Sequence, residues 1–210
     1  MNTRKIAVAQ SVVLACALTV TACAGGASPP DPSESSSPVV QESKTTTPSP
    51  SPAKPEYEPA TAKGPAKNVP KPQMPELAKK QNEEGAIAFV KYYFDLVNYS
   101  LETHTVDDIT KITMRSCKVC GDNLIDPVSS RAKLKYWQVG GQYDADVESV
   151  KKTSSTEAIL SFSATAEKTE IYSAPSELVA RGTASEEPIT GITVLRWDDG
   201  WKMFDLKFSE

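Results

Sequence analysis

Four cysteines are the residues best placed to do chemistry in this chain, and their positions divide the work. Cys117 and Cys120 stand three apart, a spacing open to a disulfide, to half of a zinc site, or to thiol exchange. A zinc site needs two further ligands, and the single imidazole, His104, with scattered carboxylates offers no second cluster. Exchange of the thioredoxin kind wants the pair at a helix start after a strand in a βαβ context, which the surrounding pattern lacks. Cys23 closes a different motif. Arg4 and Lys5 precede an apolar run from Ile6 to Val20, broken by Gln10, Ser11 and Thr19, and Thr21-Ala22 leave a narrow backbone before the cysteine. These are the features a signal peptidase needs, on a run too short to span a bilayer. Cys23 is then the thiolate placed to take a diacylglyceryl group as a thioether, and Cys16 leaves with the leader.

The segment Val20-Thr-Ala-Cys23 resembles a bacterial lipobox, with Val20 where leucine is usual. The alternative is ordinary secretory cleavage near Ala22 or Ala24, leaving a free thiol. Acyl chains contribute about 0.8 kcal/mol per buried CH₂, so two or three of them give practically permanent attachment. The expected location is the outer face of the cell membrane, lipid-anchored. In that oxidising compartment Cys117 and Cys120 should pair, and so short a loop gains roughly 2 kcal/mol in the chain-entropy model.

Other candidate groups carry less. His104 lies between Thr103 and Thr105 with no nucleophile or base beside it in sequence, and reads as polar surface. Asp95 falls off the apolar stripe of its helix and reads as solvent-exposed. Asp198-Asp199 precedes Gly200 and is turn chemistry, not a metal pair. No catalytic residue, metal or cofactor is assigned. Tyr93, Tyr99, Trp137 and Trp197 are candidate pocket-lining residues for a small hydrophobic ligand, with core packing as the competing reading.

Composition sets the layout that must position these groups. Removing the leader takes Arg4 and Lys5, leaving 21 basic against 27 acidic residues, and this acidic balance argues against a nucleic-acid partner. Residues 1–22 read as the signal peptide. Residues 23–74 read as the lipidated cysteine and a disordered Pro/Ser/Thr-rich tether, since 12 of the 16 prolines fall there and few large apolar residues do. Residues 75–210 read as one domain. Ala86, Phe89, Val90, Tyr93, Leu96 and Val97 recur at helical spacing and predict a helix over 76–100. Thr105 to Asp108 resembles a capping box for a second helix burying Ile109 and Ile112, and a third is expected over about 123–136. After Gly140-Gly141 the period changes to 2, predicting strands around Tyr143–Val147 and Ala158–Ala166. Asp199-Gly200 predicts a tight hairpin pairing Leu195 with Phe204 and Thr193 with Leu206. Ile159, Ile192, Val194 and Met203 would then lie on the opposite face. The expected fold is α+β: three N-terminal helices packed against a curved antiparallel sheet of about four strands.

That order, with the closing Arg196-Trp-Asp-Asp-Gly-Trp-Lys202 hairpin, resembles the cystatin-like cone of nuclear transport factor 2 and ketosteroid isomerase relatives. Glu84-Gly-Ala86, Phe89, Tyr93, Asn98-Tyr99, Gly140-Gly141 and the Cys117/Cys120 pair resemble a family of actinobacterial lipoproteins known as domain of unknown function 6318. Thr103-His104-Thr105 stands where that family tends to carry a Gly-Asp turn. The resemblance implies a tethered cone with two paired cysteines and no established activity. The expected function is a membrane-anchored, non-enzymatic binding or interaction domain whose partner is an envelope protein or a small hydrophobic ligand. The alternative is a small-molecule enzyme of the isomerase or dehydratase type with its site in the cone.

Overall fold

The computed structural model describes residues 55–209; the leader, Cys23 and most of the expected tether lie outside them. An extended arm leads into a 3₁₀ turn at Glu76–Lys79 and four helices: α1 (Glu83–Thr103), α2 (Asp107–Lys111), α3 (Lys118–Cys120) and α4 (Asp126–Lys133). Seven strands follow: β1 (Trp137–Gly140), β2 (Tyr143–Thr153), β3 (Glu157–Ala166), β4 (Thr169–Ala174), β5 (Glu177–Gly182), β6 (Ile189–Trp197) and β7 (Trp201–Phe208).

The helix predicted from residue 76 starts at Glu83 because Asn82 caps it. The side-chain oxygen of Asn82 accepts the Gly85 N–H at 2.8 Å, satisfying one of the free donors of the first turn. Gly85 is there for space: a Cβ would sit 2.0 Å from the Lys80 carbonyl oxygen, so only glycine lets the 3₁₀ turn fold back onto α1. The predicted apolar stripe of α1 is buried throughout, as are Ile109 and Ile112. The Thr105 cap is not formed. Its hydroxyl meets that of Thr103 at 2.7 Å, and Asp108 pairs with Lys71 and Lys111 instead. The third helix is replaced by α3, a π-turn over Gly121–Ile125, and α4 with Pro127 in its first turn.

The expected single sheet of about four strands is corrected to two antiparallel sheets holding seven strands, so among the described residues strand outweighs helix and the cone reading does not stand. A four-stranded sheet has the order β2-β3-β6-β7, and a three-stranded sheet has the order β1-β4-β5. The chain leaves the larger sheet after β3, forms the β4–β5 hairpin against β1, and returns as β6. Sequence period found β2 and β3, where Ala158, Leu160, Phe162 and Ala164 alternate inward. It missed the smaller sheet for a physical reason: β1 is four residues long, and β5 is exposed along nearly its whole length, so neither carries a half-buried alternation.

The β6–β7 hairpin turns one residue earlier than predicted. Trp197 pairs with Trp201 and Leu195 with Met203, and a bulge between Val194 and Leu195 restores the predicted Thr193–Leu206 pairing further on. A one-residue slip exchanges the two faces of a strand. Met203 therefore lies in the core, not on the outer face, and Phe204 turns outward beneath the Arg196 guanidinium at 3.5 Å. The outer face keeps Ile159, Ile192 and Val194, but Lys152, Glu157 and Arg196 interrupt them with ion pairs.

Residues 55–74, assigned from composition to the tether, are part of the folded unit. The arm makes a small hairpin with backbone pairs Glu58–Lys67 and Thr61–Gly64. It is fixed to the domain by polar contacts. Tyr57 donates its hydroxyl proton to Glu102, Trp137 Nε1–H donates to the Thr61 carbonyl at 2.7 Å, Ser176 N–H donates to the Ala62 carbonyl at 2.7 Å, and Lys71 pairs with Asp108. The hydrogen bond to the Glu102 carboxylate pushes the Tyr57 phenol up to about 12, so the phenol stays protonated and able to donate at physiological pH.

Candidate binding site

An apolar recess of about 90 Å³ opens beside the disulfide. Its back wall is α1, where Tyr93, Val97 and Leu101 fall one turn apart on one face, an arrangement dictated by four-residue spacing. Cys120, joined to Cys117 with 5.3 Å between their Cα atoms, forms one side. The π-turn contributes Asn123 and Leu124, and the end of β7 brings Phe208 to the rim, 42% exposed. The disulfide thus fixes the chain just before the π-turn that shapes the mouth. π-turns recur at functional sites, and this one was invisible to periodicity, because a single wide turn leaves the apolar spacing of its neighbours unchanged.

The chemistry of the recess is that of contact, not of proton transfer. Its polar side chains are Asn123 and the two tyrosines Tyr93 and Tyr143. The Thr113 hydroxyl donates to the Ile109 carbonyl at 2.7 Å, which leaves it to accept the Tyr93 hydroxyl proton at 3.0 Å. Burial raises the Tyr93 phenol well above its ordinary value, so it stays protonated and bonded. An engineered apolar cavity of about 150 Å³ is large enough for benzene. A recess of this size takes a smaller group, such as a branched alkyl end.

The four residues predicted to share a pocket are not brought together. Tyr93 lines the recess. Tyr99 and Trp137 border a separate, more polar cleft of about 450 Å³ between the arm, the end of α1 and the turn after α4. Trp197 lies at a third place, edge-on to Trp201 at 5.2 Å, beside Met74 and Ile112. Trp137 is largely packed away: its ring stacks on Tyr172 at 5.7 Å and 18°. Asp95 is exposed, and partial burial of its carboxyl raises its pKa.

His104, read from sequence as surface, is buried, and it lines the larger cleft together with the buried Trp137. It ends α1 in the left-handed conformation at φ 55°. The Tyr136 carbonyl can only accept, so Nδ1 carries the proton and donates at 2.8 Å, while Nε2 is a buried acceptor with no partner among the described residues. Burial lowers the His104 pKa, the Tyr136 contact opposes this, and the nearby Arg131 charge adds to the lowering. The folded protein therefore binds a proton at His104 less readily than the unfolded chain. The stability this confers is fully present above the unfolded value of 6.5 and is lost as pH falls from there through the folded value. Urea denaturation between about pH 8 and pH 5 should show stability falling with acidification, by at most about 1.4 kcal/mol per pH unit from this one group. His104→Asn, which tolerates the left-handed backbone, should flatten that slope; an unchanged slope would exclude His104 as its source.

The fold and the recess define a helix-and-two-sheet domain with a small apolar contact site. The profile of the family of unknown function DUF6318 matches residues 55–206, and the chain belongs to that family. The match takes in the arm as well as the helices and both sheets. No curated protein matches the chain. Among solved structures, the crystal structure of the intermembrane space region of chloroplast protein ARC6 matches 61% of this chain and 97% of its own at 14% identity, with a TM-score of 0.46. That likeness is too slight to carry fold or function across.

Proposed function

We propose that the protein is an extracytoplasmic lipoprotein of the actinobacterial type its sequence resembles, held at the outer face of the cell membrane by acyl chains on Cys23, and that its domain binds a partner without catalysing a reaction. The observation that carries this reading is the order along the chain. A leader ends at Thr21-Ala22-Cys23, residues 24–54 keep a Pro/Ser/Thr-rich composition suited to a spacer, and the described residues 55–209 form a folded unit. The apolar recess supports a binding role, since its wall of Val97, Leu101, Leu124 and Phe208 gains by excluding water from an apolar guest. The isomerase or dehydratase alternative draws no support from the recess, whose polar side chains are Asn123, Tyr93 and Tyr143, because its chemistry wants an acid or base facing the substrate.

Native mass spectrometry of the full protein taken from its own envelope tests the binding role. The expected result is a stoichiometric small-molecule adduct that is lost in Leu124→Trp, which fills the mouth of the recess. A bare mass in both proteins would overturn a ligand in the recess and leave an envelope protein as the partner.

A further inference from the structure

Among the described residues, β5 is a strand edge that no other segment covers. The other three edges are covered, lined with charge of one sign, or very short. β7 receives the loop before α3, through Met114 N–H to the Met203 carbonyl and Met203 N–H to the Ile112 carbonyl, each at 2.8 Å. β2 sets Asp144, Asp146 and Glu148 of one sign along its first half, and β1 is only four residues long. β5 pairs with β4 on one side, and none of its backbone groups bonds elsewhere among the described residues. It carries two adjacent exposed aliphatic residues, Leu178 at 39% and Val179 at 46%, and its register leaves Val179 with no partner on β4.

Charged residues on an edge strand usually repel a second copy. Here their order does the reverse. β5 reads Glu177-Leu-Val-Ala-Arg181, and antiparallel pairing about a two-fold axis at Val179 sets Glu177 against Arg181 of the second copy, and Leu178 against its Ala180. Both ends of the pairing then bring opposite charges together, and the two valines meet at the centre. Glu177 has no ion-pair partner among the described residues, and Arg181 shares Glu170 with Lys168, so both ends can engage.

We propose that β5 is a self-complementary docking edge for a second copy of this chain, joining two three-stranded sheets into one six-stranded sheet across a two-fold axis. A short edge pairing of this kind is weak in dilute solution and gains from any confinement that raises the local concentration of copies.

The test is site-directed cross-linking of the full-length chain in its own cell envelope under a mild oxidant. Val179→Cys should form a disulfide-linked homodimer about tenfold faster than Leu134→Cys, a 59% exposed site on α4's side of the domain that reports random collision. Adding Glu177→Arg should reduce the Val179→Cys rate to the collision level, and adding Arg181→Glu to that pair should restore it. Equal rates for Val179→Cys and Leu134→Cys would overturn the proposal. So would a charge-swapped protein no faster than the one carrying Glu177→Arg alone.

Discussion

Cys23→Ala should abolish incorporation of labelled fatty acid into the protein and shift it from the membrane fraction to the soluble fraction. The size of the effect follows from the anchor. At about 0.8 kcal/mol per buried CH₂, two long acyl chains outweigh any other contact this domain could make with a bilayer. The acidic balance of the chain gives no compensating attraction to anionic lipid. The leader that remains uncleaved in the variant has an apolar run from Ile6 to Val20, short of the roughly 20 residues a stable span requires. Among the described residues no helix is long and apolar enough to cross a membrane, so they supply no second anchor of that kind. A variant that still carried label and stayed with the membrane would remove Cys23 from the account.

Trp201→Ala should cost about 3–5 kcal/mol, a large share of the stability of a domain this size. Trp201 is 2% exposed and opens β7. Its ring meets Trp197 edge-on, and its Nε1–H donates to the Lys80 carbonyl at 2.9 Å. That single bond ties the last strand to the 3₁₀ turn that precedes α1, 121 residues away in sequence. Truncation loses the buried surface, leaves a cavity, and strands the Lys80 carbonyl. Trp201→Phe separates these contributions: it keeps most of the apolar volume and loses the donor, for an expected cost of about 1–3 kcal/mol. Urea denaturation of the full chain reads both. Equal costs for alanine and phenylalanine would mean that the hydrogen bond, not the packing, dominates.

The parts of this fold that sequence revealed are those with one buried and one solvated face. α1 was legible because its apolar residues repeat at helical spacing, and β3 because Leu160 and Phe162 alternate with Ser161 and Ser163. The hairpin was legible in existence and wrong in register, since Asp199-Gly200 signals a turn but not the bulge at Val194, and that bulge decides whether Met203 or Phe204 enters the core. The smaller sheet and the arm left no apolar period to read. β5 is exposed, and the arm is held by backbone carbonyls that accept from Trp137 and Ser176 and by the Tyr57 hydroxyl, none of which a hydropathy pattern records. His104 was misplaced for a related reason. A polar residue between two threonines looks solvated, and its burial depends on α4 and the arm closing over the end of α1.

The recess was half legible. Tyr93 and the cysteine pair were candidates from sequence, but its mouth is formed by Asn123 and Leu124 on a π-turn that sequence assigned to a regular helix. The aromatic residues grouped by type, Tyr99, Trp137 and Trp197, are distributed to other places because ring chemistry alone does not encode position.

The most direct test of the central claim is the intact mass of the protein extracted from its native envelope. The account predicts a chain beginning at Cys23, heavier than its polypeptide by a thioether-linked diacylglyceryl group, with Cys117 and Cys120 oxidised. A chain beginning at another residue with Cys23 absent or as a free thiol would contradict it.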